Sequence, residues 1–86
     1  MKTDIIKLLS PVLVGKTIKV CIYQLKNSIL RFPTLSTDHE GDYEIKEKYW
    51  TIDQIKVEWL DKDYYICLYS GNKKVIFYLK DTITFI

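Results

Sequence analysis

The sequence predicts a mainly β, α+β fold, with a short N-terminal helix followed by about six antiparallel strands. Three observations carry that expectation. Apolar residues recur at helical spacing only near the N-terminus, at Ile5, Ile6, Leu8 and Leu9. From Lys16 onward the apolar period is two, the period of a strand. Turn-forming residues then interrupt the chain at 61–63, 70–73 and 80–82, leaving only short runs between them. With 48% hydrophobic and 14% aromatic residues in 86, the chain has enough apolar material for one small domain to offset its ordering entropy.

Taken in order, Thr3 and Asp4 supply an N-cap ahead of the apolar stripe. Pro11 disfavours helical geometry at Ser10, so the predicted helix ends there or restarts for one turn through Leu13 before Gly15 releases the chain. About two turns of helix are unstable alone, and the stripe must dock. Ile18, Val20 and Ile22 alternate with Lys19, Cys21 and Tyr23, predicting a first strand; Lys26 and Asn27 then turn the chain into a partner at 28–32. Residues 33–42 mix proline, glycine, serine and acidic side chains without apolar period and read as the longest loop. Tyr43, Ile45 and Tyr49 alternate with Glu44, Lys46 and Lys48 in a third strand, which bends at 50–53 before Ile55, Val57 and Trp59 resume an apolar face. Runs at 64–69, 74–79 and 83–86 complete an antiparallel meander, with Gly71-Asn72 at a tight hairpin.

The stretch Trp59-Leu60-Asp61-Lys62-Asp63-Tyr64-Tyr65-Ile66-Cys67-Leu68, then Gly71-Asn72, Val75-Ile76-Phe77-Tyr78-Leu79 and Ile83-Thr84-Phe85-Ile86, resembles the closing strands of SH3-like and Sm-like small barrels. Leu13-Val14-Gly15-Lys16-Thr17 is similar to the helix-to-strand entry of Sm-like proteins. The resemblance covers about half the chain and implies a small barrel that hides its strand edges. Residues 28–50 depart from it by a loop and an additional strand, so none of the family's RNA-binding positions is carried over. The alternative architecture is a cystatin-like helix packed on an open antiparallel meander.

Little in the composition points to chemistry. Thirteen basic and eleven acidic residues leave a net charge of +2, too balanced to draw a polyanion from a distance. Arg31 is the only arginine, so bidentate phosphate recognition is nearly unavailable. Cys21 and Cys67 sit in apolar runs far apart and read as reduced core residues. His39, the only histidine, lies between Asp38 and Glu40 and reads as a solvated loop residue. Asp38, Glu40 and Asp42 lack the remaining ligands of a calcium loop, and no glycine-rich phosphate motif is present. The sequence therefore predicts no catalytic, cofactor or metal residue and no enzyme. Lys7, Ser10 and Pro11 interrupt the apolar stretch at 5–14, which argues against a signal peptide or membrane span and places the chain in the cytoplasm.

The meander is apolar on both faces: Tyr64, Ile66 and Leu68 share one, while Tyr65, Cys67 and Tyr69, extended by Ile76 and Tyr78, form the other. One face then lines the core; the other carries the helix or stands as a tyrosine platform. The expected function is a non-catalytic protein-binding domain, an inhibitor or adaptor. With no alanine, one arginine and much lysine and isoleucine, the chain resembles the product of an AT-rich bacterial or phage gene, which suggests a phage or mobile-element protein acting on a host defence protein. Its partner-binding candidates are Tyr65, Tyr69, Tyr78, Lys73 and Lys74, with Asp38, Glu40 and Asp42 as a phosphate-mimicking loop. The alternative is single-stranded RNA binding, tyrosines stacking bases while lysines track the backbone. Glu58, Asp61, Asp63 and Asp81 interleave with those lysines and favour a protein partner. The final run, 83–86, has no charged guard, so the sequence predicts edge pairing or a homo-oligomer there.

Overall fold

A computed structural model describes residues 2–36, 39, 41–60, 63–78 and 80–86. The chain is mainly β with one short helix: α1 (Lys2–Leu13), β1 (Thr17–Leu25), β2 (Arg31–Thr34), β3 (Tyr43–Thr51), β4 (Gln54–Leu60), β5 (Asp63–Ser70) and β6 (Lys73–Phe77). The strands form two three-stranded antiparallel sheets, β2-β1-β3 and β4-β5-β6. Buried between them are Ile18, Val20, Trp50, Ile55, Val57, Ile66, Leu68 and Val75, with Ile52 at the corner.

The helix runs through Pro11 to Leu13. Proline forfeits one backbone bond in that last turn, but Leu13 is drawn fully into the core and the Val14 N–H reaches the Ser10 carbonyl at 2.9 Å. Gly15, at φ +84°, then reverses the chain, and its N–H donates to Ile52 at 2.7 Å. Ile5, Ile6 and Leu9 rest on the core, and α1 lies against β4.

The phase of the β1 hydrogen bonds orders the first sheet. On one edge the Lys26 N–H donates to the Asp42 carbonyl at 3.0 Å; on the other, Lys19 donates to Thr84 at 2.9 Å and Ile86 to Thr17 at 3.0 Å. Even-numbered residues of β1 therefore direct their backbone groups to β3, and odd-numbered ones to β2 and the chain end. At the far end of β3 the chain bends as the sequence predicts. Ile52 still bonds Lys16, at 2.9 Å, whereas the Asp53 N–H already donates to Tyr69 on β5, at 2.9 Å.

Four expectations need correction. The partner of β1 is β2 at Arg31–Thr34, not 28–32. Asn27 takes φ +62° and the Ser28 hydroxyl accepts the Leu30 N–H at 3.0 Å, so Ile29 and Leu30 belong to an exposed turn and Phe32 falls opposite Tyr23. Pro33, read as the start of a loop, lies within β2 opposite Ile22, where its backbone points away from β1. It has no N–H to offer a further strand, and although β2 approaches β6, no ladder joins them among the described residues. Finally, 83–86 is not a strand. It makes a single bridge, Phe85 to Ile18, filling the β1 edge beyond the end of β2. On one side, then, the unguarded chain end finds its partner within the chain. The last named strand also stops at Phe77, because the Asp81 carboxylate takes the Tyr78 N–H at 3.1 Å and turns the chain. Among the described residues no helix is long and apolar enough to cross a membrane.

Candidate functional site

The alternation of β5 divides its aromatic residues. Ile66 and Leu68 enter the core, while Tyr65, Cys67 and Tyr69 face outward beside Lys56 and Glu58 of β4 and Lys74 and Ile76 of β6. On this outer face the Tyr69 hydroxyl donates to Glu58 Oε1 at 2.8 Å and the Tyr65 hydroxyl to Oε2 at 3.4 Å. Lys74 Nζ stands 4.0 Å from the same carboxylate, and Lys56 Nζ lies 5.2 Å from the Tyr69 ring centroid. Cys67, between the two tyrosines on the strand, is fully buried.

The charges respond to this arrangement. The Tyr69 hydrogen bond holds the Glu58 carboxyl below its ordinary range against the opposing effect of desolvation, with Lys74 adding to the lowering. The reciprocal bond pushes the Tyr69 phenol up to about 12. Desolvation, then the Glu58 charge, raises Tyr65; burial raises the Cys67 thiol away from thiolate. Both phenols and Lys74 are thus directed to the one Glu58 carboxylate.

The remaining candidates are dispersed. Lys73 leaves the outer cluster and stacks over Trp50, 4.9 Å from the ring centroid. Asp42 pairs with Lys26 at 3.0 Å. Asp38 and Glu40 lie outside the described residues, as does Asp61. Of the five platform candidates, Tyr65 and Tyr78 line an apolar groove of about 350 Å³ between α1 and the end of β5 and β6. Ile5, Leu8 and Leu9 form one wall of that groove; Tyr64, Tyr65, Ile66, Phe77 and Tyr78 form the other. Leu8 is 73% exposed, Tyr78 52% and Tyr64 42%, and Trp59, 63% exposed, meets Tyr64 edge-on with centroids 5.4 Å apart.

Sequence reasoning missed Leu8 and Trp59 as surface residues. The available signal was the width of the helix stripe: Ile5, Ile6, Leu8, Leu9, Val12 and Leu13 span an arc of roughly 160°, more than one sheet covers. Also missed was a second aromatic cluster at the far end of the first sheet. Tyr23, Phe32 and Tyr43 surround one another there, and His39 closes over them, 4.9 Å from Tyr23 and 5.4 Å from Phe32, with Nε2 3.2 Å from Thr34 Oγ1. The histidine is exposed in the loop, as the sequence predicts, and caps the aromatic cluster. It also lines a second cavity of about 350 Å³ along the β2–β6 gap, which Tyr78 shares. On the face of the first sheet that carries Ile18, Val20 and Trp50, past the core, Arg31, Lys46 and Lys48 surround a shallow depression with Ile22, Gln24 and Glu44.

Among the described residues no group of three or more His, Cys, Asp or Glu side chains is placed to hold a metal ion. No protein-family model matches the chain. Neither a curated protein nor a solved structure matches it.

Proposed function

We propose that this protein is a non-catalytic protein-binding domain that takes an apolar segment of its partner into the groove between α1 and the β5–β6 end. The observation that carries this reading is the exposure of Leu8, Trp59, Tyr64 and Tyr78 around one concave apolar surface. Large apolar side chains left in water cost free energy, and contiguous patches of them mark interaction sites. Trp and Tyr at the rim offer the rigid, polar-tipped contact area that dominates binding energetics. In this reading the two sheets act as the halves of a small SH3-like or Sm-like barrel, left open along the β2–β6 gap beside Tyr78. The AT-rich composition favours a phage or mobile-element inhibitor or adaptor as the form that binding takes. Glu58 at the centre of Tyr65, Tyr69 and Lys74 weighs against single-stranded nucleic acid as the alternative partner.

Selection of displayed peptides on the full chain, followed by amide-shift mapping, tests the reading. Selected peptides should carry an apolar anchor, perturb residues 5–9, 64–66 and 77–78, and lose about tenfold or more in affinity to Leu8→Asp. Peptides that map to the acidic loop, or to Tyr69 and Lys74 on the outer face, would refute the groove. Salt-dependent binding of labelled oligonucleotides at low ionic strength would replace a protein partner with a nucleic acid.

A further inference from the structure

The nine-residue strand β3 pairs along one edge only, with β1. Among the described residues nothing bonds its outer edge, and every side chain from position 44 to position 49 is exposed. Because Asp42 accepts from Lys26 on the inner edge, even-numbered residues of β3 face β1. Tyr43, Ile45, Glu47 and Tyr49 therefore direct their N–H and carbonyl groups outward. Such an edge is a template for a further strand, and charged side chains ordinarily guard it. Here the charges alternate so that they suit a second copy of the same strand.

We infer that β3 pairs antiparallel with β3 of a second copy across a two-fold axis at Ile45, joining the two first sheets into one of six strands. In this register Ile45 meets the partner's Ile45, Glu44 meets the partner's Lys46, and Tyr43 meets the partner's Glu47. Every charged position from 43 to 47 then faces either an opposite charge or a phenol. Neighbouring registers fail by charge: an axis at Lys46 sets two lysines together, an axis at Glu44 sets two glutamates together, and an axis at Glu47 does the same while placing Lys46 against the partner's Lys48. The Ile45 register is also in phase with the backbone, since its outward groups form about six new hydrogen bonds. Ile45, 54% exposed on the monomer, is covered by its own copy. The inference stands apart from the groove, which lies on the other sheet.

A strand edge alone buries little area, so the dimer is weak, with a dissociation constant on the order of 10–100 μM. Sedimentation equilibrium of the full chain from micromolar to millimolar concentration should show monomer passing to dimer. Ile45→Pro removes an outward N–H and no bond to β1, so it should leave the fold intact by circular dichroism and abolish the dimer. Lys46→Glu should weaken association about tenfold or more, and Glu44→Lys with Lys46→Glu should restore it. A monomer at every concentration, or a dimer indifferent to Ile45→Pro, overturns the inference. A dimer broken by Lys48→Glu but not by Lys46→Glu overturns the register.

Discussion

Replacing Tyr69 with phenylalanine should remove one late-ionising phenol from the alkaline titration of the folded protein. The reason lies in the 2.8 Å bond to Glu58, which stabilises the protonated phenol and drives its pKa from an ordinary 10.0 to about 12. At a pH near 11, ordinary phenols are roughly 90% ionised whereas Tyr69 is only roughly 10% ionised, so the two are well separated. Absorbance near 295 nm, recorded with circular dichroism on the same samples, counts phenolates while confirming the fold. Tyr69 should belong to the late-ionising fraction of the phenols. Glu58→Ala should return Tyr69 to the main transition. The linkage to stability has two signs. Raised in the folded state, Tyr69 contributes stability that is complete below 10.0 and lost as pH rises through about 12. Lowered in the folded state, Glu58 contributes stability that is complete above its ordinary 4.5 and lost as pH falls through its depressed value. Tyr69→Phe should therefore flatten the stability profile at both ends. An alkaline titration in which Tyr69→Phe removes no late-ionising phenol, or in which Glu58→Ala leaves the late fraction unchanged, would refute this account.

Two further substitutions test the frame that positions the groove. Ile52 is wholly buried at the corner between the sheets, so Ile52→Ala should cost about 2–5 kcal/mol in urea denaturation, while a loss below about 1 kcal/mol would show that the corner collapses around the cavity. Gly71, at φ +61°, donates to Asp53 at 2.6 Å and has open space at its Cβ position; Gly71→Ala should therefore cost about 1 kcal/mol through backbone strain alone, measured as a lower urea midpoint with unchanged slope.

Much of the fold was legible because its determinants are local. Period-two alternation marked β1, β3, β4 and β5, and Gly71-Asn72 marked the turn between β5 and β6. The bend at 50–53 was legible for the same reason. What stayed hidden depends on phase between distant segments. Pro33 looks like a loop residue until the β1 register shows that its missing N–H points away from the ladder. Glu58 and Tyr69 sit on different strands, eleven residues apart, and no spacing rule links them. His39 reads as solvated because its flanks are acidic, yet the aromatic rings it meets come from two different strands. Of the candidate partner residues, alternation correctly grouped Tyr65 and Tyr69 on one face. It could not show that Glu58 occupies that face, nor that the ladder's end would carry Tyr78 to the helix.

The same phase argument explains why β3 is the edge left to a second copy. Each sheet edge invites pairing unless something blocks or fills it. Pro33 blunts the outer edge of β2, residues 83–86 fill the rest of that β1 edge, β6 lies beside β2, and α1 packs against β4. Only charge protects β3, and its charges are self-complementary about Ile45, so the same alternation that repels an unrelated apolar strand fits another copy of this one. Since the groove belongs to the other sheet, such a dimer would carry two grooves at a fixed separation. A partner with two matching segments would then bind the second groove at high effective concentration, converting a modest single-site affinity into a strong one. Ile45→Pro separates these contributions. It should leave the affinity of a single peptide unchanged and remove only the gain from bivalence.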